Sequence, residues 1–207
     1  MPLAPRFFYS YVCLVMEYAS GGELFTQVAN GGAMSEDRAR SYFKQIVSAA
    51  AHCHSQDICH RDLKLENIIL GADEQTVKIT DFGLSKDTEQ HSQPKTKRVG
   101  TISYMAPEVA MASGEIPYSG VAADVWSLGI ILYVLVCCEY PFGFDGPGGQ
   151  PTQRVLARIK EVSHAPHRMS YPAPRLTARV ARSSSSATLG RAHNQRCSRL
   201  VGICGQI

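Results

Sequence analysis

The stretch ICHRDLKLENIILGADEQTVKITDFGLSK occupies residues 58–86. Two brief β-branched runs, NIIL (67–70) and VKITDF (77–82), flank the turn-forming GADEQ (71–75), a pattern that predicts a β-hairpin. Asp62 and Asn67 sit in the loop that feeds the first run, and Asp81 opens a turn at the end of the second. Folding the hairpin therefore brings Asp62, Asn67 and Asp81 to a common edge. The set is chemically specific. One carboxylate can orient a hydroxyl and take its proton, while the other two groups are hard oxygen donors suited to Mg²⁺. Lys64, two residues beyond Asp62, can set a positive charge against a phosphoryl group in transit.

A neighbouring cluster invites a different reading. AHCHSQDICH (51–60) gathers His52, Cys53, His54, Cys59 and His60, all able to bind zinc. Residues 52–54 are consecutive at a helix end, where side chains diverge, and no second ligand pair lies nearby. A core and helix-terminus role is the expectation.

The rest of the chain predicts an α+β fold, mainly helical with short β hairpins. YVCLVMEY (11–18) reads as a buried strand halted by SGG, and Glu23 to Val28 as a short helix. Ser35 caps a longer helix, with Glu36 and Asp37 in the first turn where the helix dipole favours anions. Ala39, Tyr42, Phe43, Ile46, Val47 and Ala50 recur at helical spacing and form its core face. Residues 84–105 lack periodicity and predict a long loop, of the kind that usually carries function. A buried helix is expected from about Val121 to Cys138, and an amphipathic one around 151–162. The apolar run Val125–Cys138 is 14 residues, short of the ~20 a membrane span needs.

The 207-residue chain has a net charge of +3 that is unevenly spread. Residues 1–162 hold 14 Lys and Arg against 18 Asp and Glu; residues 163–207 hold 7 Arg, no Lys and no acid. That Arg/Ser-rich tail buries too little apolar surface to offset its ordering entropy, so disorder is expected. Clustered arginine is a weak hint of nucleic-acid binding, outweighed by the scarcity of aromatics. Seven cysteines without a Cys-x-x-Cys pair predict reduced thiols in an intracellular protein, cytoplasmic or nuclear.

Taken together, HRDLKLEN (60–67), DFG (81–83), APE (106–108) and ADVWSLG (123–129) resemble the signature set of protein kinases. The resemblance implies a kinase-like large lobe, ATP and Mg²⁺ as cofactors, and protein substrates. It makes Asp62 the catalytic base, with Lys64 near the γ-phosphate as in serine/threonine kinases. Asn67 and Asp81 become metal ligands and Glu66 a cofactor-side residue, while Phe82 and Gly83 complete the Asp81 turn. His60 would brace the loop, and Asp124 would hold its backbone. Arg61 and Lys86 resemble the pocket for an activation-loop phosphate, and GTISYMAPE (100–108) resembles the substrate-docking end of that loop, with Thr101 near Asp62. LVMEYASGGELF (14–25) resembles a kinase hinge: Met16 as gatekeeper, Glu17 and Ala19 toward adenine, Glu23 toward the ribose, Ile69 beneath the base. With HSQPK (91–95), it looks like the plant-type sucrose-non-fermenting-related stress kinases. That makes Thr96 the expected activating phosphosite and implies an upstream kinase.

The resemblance covers roughly residues 11–162. It implies a remnant of small lobe and hinge strand at 1–18, a large lobe at 19–162 and the tail beyond. No Gly-rich phosphate loop or Ala-x-Lys strand is recognisable before the hinge, so the small lobe is expected to be essentially absent. The last helices, and the Arg that would pair with Glu108, are not recognisable either. A truncated kinase is the expectation; a non-catalytic kinase-like binding fragment is the rival.

Overall fold

The computed structural model describes residues 14–87, 97–115 and 117–164. Two helices make the frame. α2 (Glu36–Ser55) starts at Ser35, whose hydroxyl accepts from the Arg38 amide at 3.4 Å. It buries Ala39, Tyr42, Ile46 and Ala50, spaced a turn or so apart. Phe43 packs beside this stripe, and Val47 sits at its solvent edge, 36% exposed. α4 (Gly120–Cys137) lies against α2; from Ile130 onward it is buried on all sides, including Ile131 and Leu135 at 0% exposure, while Ala122 and Val125 in its first half face solvent. It is long and apolar enough to cross a membrane by composition alone; in this fold 61% of it is buried against protein. The Ser119 hydroxyl accepts from the Ala122 amide at 3.2 Å, starting the helix one residue ahead of expectation. Cys138 closes it in a left-handed conformation, φ 54°.

The hairpin forms as its turn residues dictate. β3 (Ile68–Leu70) pairs antiparallel with β4 (Val77–Ile79), placing Ile68 opposite Ile79. β1 (Gly22–Glu23) adds to the other side of β3, with Glu23 opposite Ile69. Asp73 ties the turn by accepting from the Gln75 and Thr76 amides, each at 2.9 Å. From α2, Gln45 holds the same turn: its amide donates to the Gln75 carbonyl at 2.9 Å and accepts from the Val77 amide at 3.1 Å. Leu63, Leu65, Ile68 and Leu70, all within 1% of full burial, sink this region into the core. Each such side chain contributes about 1.5–3 kcal/mol by leaving water.

α1 (Leu24–Gly31) begins one residue later than expected because Glu23 stays extended in β1. It runs on to Gly31 and stops at Gly32, φ 77°. β2 (Ile58–Cys59) pairs with β5 (Lys86–Asp87), so the expected long loop carries a short strand as it leaves the hairpin. α3 (Pro107–Ala110) packs on α5 (Thr152–His164), the expected amphipathic helix, which buries Val155 and Ile159.

The strand expected over 11–18 is corrected where the structure describes it. Residues 14–18 form no strand, and Leu14, Val15 and Tyr18 are 80, 97 and 90% exposed. A strand needs a neighbour for its amides and carbonyls. Among the described residues, the place beside β3 is taken by Gly22–Glu23. The expected disordered tail lies outside the described residues.

Candidate active site

Asp124, 1% exposed on α4, organises the loop before Leu63. Its Oδ2 accepts from the His60 amide and its Oδ1 from the Arg61 amide, both at 2.8 Å. His54 Nε2 lies 2.8 Å from the same Oδ2. Arg61 has φ 68°, a left-handed conformation costing a non-glycine residue about 1–3 kcal/mol. The two amide bonds to one buried carboxylate hold that turn. His60, 2% exposed, accepts from the Asp62 amide through Nδ1 at 3.3 Å and faces the Thr80 carbonyl through Nε2 at 3.0 Å. With the proton on Nε2, His60 forms a strut between the loop and the end of β4. The decoy histidines His54 and His60 thus have protein partners.

Beyond this turn Asp62 meets three groups. Its Oδ1 accepts from both the amide and the hydroxyl of Thr101, each at 2.8 Å. Lys64 Nζ lies 3.0 Å from its Oδ2 and donates to the Thr101 hydroxyl at 3.1 Å. Burial pushes the Asp62 carboxyl up, but the bonds from Thr101 and Lys64 outweigh it and hold the pKa below the usual value. Asp62 is therefore ionised at neutral pH, with a hydroxyl already on one oxygen. Asn67, 6% exposed, donates through Nδ2 to the Asp62 carbonyl at 2.9 Å.

Asp81 reaches the same edge through backbone links. The Thr80 amide donates to the Asn67 carbonyl at 2.9 Å, and the Phe82 ring leans on His60 with centroids 4.8 Å apart. Asp81 itself is left-handed, φ 62°, and its Oδ1 accepts from the Gly83 amide at 3.2 Å. That leaves Asp81 Oδ2 and Asn67 Oδ1 without a hydrogen bond from the described residues. Two hard oxygens on adjoining backbone, beside an ionised carboxylate, form a donor set that fits Mg²⁺ and not a soft metal. Among the described residues, no three or more His, Cys, Asp or Glu side chains gather into a metal cluster.

The other expected site residues divide. Glu23 and Ile69 stand opposite each other across β1 and β3. Glu17 pairs with Lys78 of β4 at 2.9 Å, and Ala19 is half-buried. Met16 is 73% exposed, with no wall over it among the described residues. Glu66, expected on the cofactor side, accepts from the Tyr104 hydroxyl at 3.3 Å and so faces the docking segment. Arg61 Nε donates to the Leu84 carbonyl at 2.6 Å, and Lys86 pairs opposite Cys59. Glu108 is half-buried on α3, and no described residue forms an ion pair with it. Thr96 lies outside the described residues.

Several contributors escaped the sequence reading. Gly100 has φ +99°, and a Cβ there would sit 2.6 Å from the Arg61 carbonyl oxygen. Only glycine allows the docking segment to approach the Asp62 loop so closely. Buried Tyr104 accepts from the Leu65 amide at 3.3 Å and shares a 2.9 Å hydrogen bond with Tyr140. Ser103 bonds Asp145, and Tyr118 bonds the Lys97 carbonyl. A glycine preceding Thr101 was a usable signal; Asp145, in a Gly/Pro-rich loop, offered none.

A family model of the protein kinase domain matches residues 8–204. The chain belongs to the protein kinase family. Its relatives include serine/threonine-protein kinases of plants. It is 46% identical over 157 residues to the kinase SRK2E of Arabidopsis thaliana, covering 75% of this chain and 42% of the relative. It is 52% identical over 156 residues to SRK2F of the same species, covering 75% and 43%. To SAPK3 of Oryza sativa subsp. japonica it is 47% identical over 158 residues, covering 75% and 46%. The chain spans less than half the length of these curated relatives. The assignment as a serine/threonine kinase by family stands on these matches.

Proposed function

We propose that this chain contributes the acceptor and metal side of a site transferring the γ-phosphate of ATP to serine or threonine hydroxyls of proteins, in stress signalling. The observation that carries the reading is the ionised Asp62 carboxylate, which holds a threonine hydroxyl at 2.8 Å with Lys64 alongside.

On this reading Asp62 orients the acceptor hydroxyl and takes its proton. Lys64 keeps a positive charge within reach of the oxygens where negative charge builds, the kind of fixed electrostatic support worth about 10²–10³ in rate. Asn67 and Asp81 hold Mg²⁺, with Gly83 fixing the Asp81 carboxylate. Glu23 and Ile69 lie on the ribose and base side, continued by Glu17, Ala19 and Met16. Bound MgATP supplies the phosphoryl group and the metal charge. Arg61 and Lys86 form the receiving side for a phosphate on the activation segment, with Thr96 as its site and an upstream kinase as its source. Glu66 lies on the cofactor side, with its side chain turned to Tyr104. The protein acts in the cytoplasm or nucleus.

A second reading is a non-catalytic binding fragment. The exposure of Leu14–Tyr18 favours it, because among the described residues nothing covers the adenine side. Transfer of labelled phosphate from ATP to a generic basic protein decides between them. The parent chain is expected to transfer and Asp81→Ala to lose transfer; equal signal in both would assign the activity to a contaminant. Binding of Mg²⁺ with ATP, followed by amide shifts at Asn67 and Asp81, tests the metal side without turnover.

A further inference from the structure

The segment that meets Asp62 is fixed at three successive points. Thr101 rests on Asp62 Oδ1 through both its amide and its hydroxyl. Gly100 passes so close to the Arg61 carbonyl that no side chain fits between them. At Lys97 the backbone carbonyl accepts from the Tyr118 hydroxyl at 2.9 Å. The first two contacts come from the loop they serve. The third comes from outside it, from the connection between α3 and α4.

Tyr118 is well placed for this. Its ring is half-buried and packs against the core, so its direction is set by apolar contacts. The next residue, Ser119, caps α4 through its hydroxyl, which fixes the backbone at that point. Tyr118 and Arg61 also line one cleft with Val99, Gly100, Thr101 and Asp124. Burial pushes the phenol pKa up against the opposing pull of the Arg61 guanidinium, so the hydroxyl remains a proton donor at neutral pH.

We propose that Tyr118 is a positioning residue for phosphoryl acceptance: its hydroxyl fixes the Lys97 carbonyl and thereby sets where Thr101 meets Asp62. The proposal rests on the kinase reading above and adds a residue to it. The ring secures packing, and the oxygen meets the Lys97 carbonyl and the Arg61 side chain, one on each side of the Asp62–Thr101 contact. Tyr118→Phe keeps the ring and deletes both contacts of the oxygen.

The deciding measurement is residue-resolved amide hydrogen exchange on the full chain. In Tyr118→Phe, the Thr101 amide, bonded to Asp62, is expected to exchange roughly two- to tenfold faster, the range of one net hydrogen bond. The amides of Ile131 and Leu135 in α4 are expected to keep their parent rates. Unchanged exchange at Thr101 overturns the proposal, as does faster exchange spread through α4, which would show a general stabilising role. Steady-state transfer adds a second reading: the KM for a peptide acceptor rises several-fold while the KM for ATP is unchanged. An acceptor KM equal to the parent's would overturn the link to acceptance. If the parent chain transfers no phosphate, the kinase reading fails, while the exchange rates still settle whether Tyr118 positions the segment.

Discussion

Ser103 and Asp145 exchange hydrogen bonds across a long stretch of chain. The Ser103 hydroxyl donates to the Asp145 carboxylate at 2.5 Å and accepts from the Asp145 amide at 3.1 Å. Two residues from the Asp62–Thr101 contact, the pair fastens the docking segment to the Gly/Pro-rich loop after α4.

The two partners are not equally buried, and that sets an order of costs. Ser103 is 1% exposed, whereas Asp145 is half-buried. Asp145→Ala leaves a hydroxyl without its acceptor and away from water, costing about 1–3 kcal/mol. Ser103→Ala leaves a carboxylate that water can reach, and is expected to cost under about 1 kcal/mol. Urea midpoints of the two variants check this. The reverse order would mean that the contact does not hold the loop.

Asp124 serves three donors, two of them backbone amides with no alternative partner in the turn. Asp124→Ala strands the His60 and Arg61 amides and releases a left-handed arginine. The expected loss is about 2–5 kcal/mol, read as a lower denaturant midpoint at unchanged slope. Asp124→Asn keeps one acceptor oxygen and should lose less. Phosphoryl transfer should fall with both, because the backbone carrying Asp62 is what moves.

How much of this was legible in sequence follows from the range of the interactions. The hairpin is a local object: GADEQ and its flanking β-branched runs specify it, and the register follows. The capped helix at Ser35 and the buried helix near Val121 are local as well. The strand reading failed over residues 14–18 because strand formation depends on a partner, which composition cannot supply. Asp62, Lys64 and Asn67 were legible as candidates because they share one short loop, although Thr101 and Asp124, which hold that loop, come from distant segments. Asp145 and Tyr118 were not, since their roles depend on a chain reversal that brings distant loops against the docking segment. The direction of the Glu66 side chain was not legible for a related reason: it depends on Tyr104, from another segment.

Gly100 offers a strict geometric test. Its φ of +99° is unfavourable for any L side chain, and an added methyl would meet the Arg61 carbonyl at 2.6 Å. That oxygen is backbone and cannot step aside cheaply. Gly100→Ala must therefore displace the segment carrying Thr101 or the turn carrying Asp62. The expected outcome is loss of amide protection at Thr101, with transfer down about 10²-fold, the scale of a misplacement near 1 Å. By contrast Gly114 is also at positive φ, but nothing lies within 4 Å of where a methyl would stand. Gly114→Ala should carry the backbone strain alone, about 1–3 kcal/mol, and leave amide protection at Thr101 unchanged.

Acid exposes the hairpin turn. The Thr76 amide, the Gln75 amide and the Thr76 hydroxyl all donate to Asp73, lowering its pKa from 3.8 to about 2. A carboxyl whose folded pKa lies below its unfolded one favours the fold once it is ionised in both states. Its contribution is therefore present above about pH 4 and lost as pH falls through about 2. Asp62 has the same sign, its pKa being held down by Thr101 and Lys64 against burial. In Asp73→Asn, the loss of stability between about pH 4 and 2 should be shallower than in the parent, measured as thermal midpoints across that window. Carbon-13 titration of the parent should show the Asp73 carboxyl still ionised at a pH where free aspartate is half protonated. A titration midpoint at the ordinary value would mean that those three donors do not hold the turn, and that Gln45 alone secures the edge on which Asn67 and Asp81 meet.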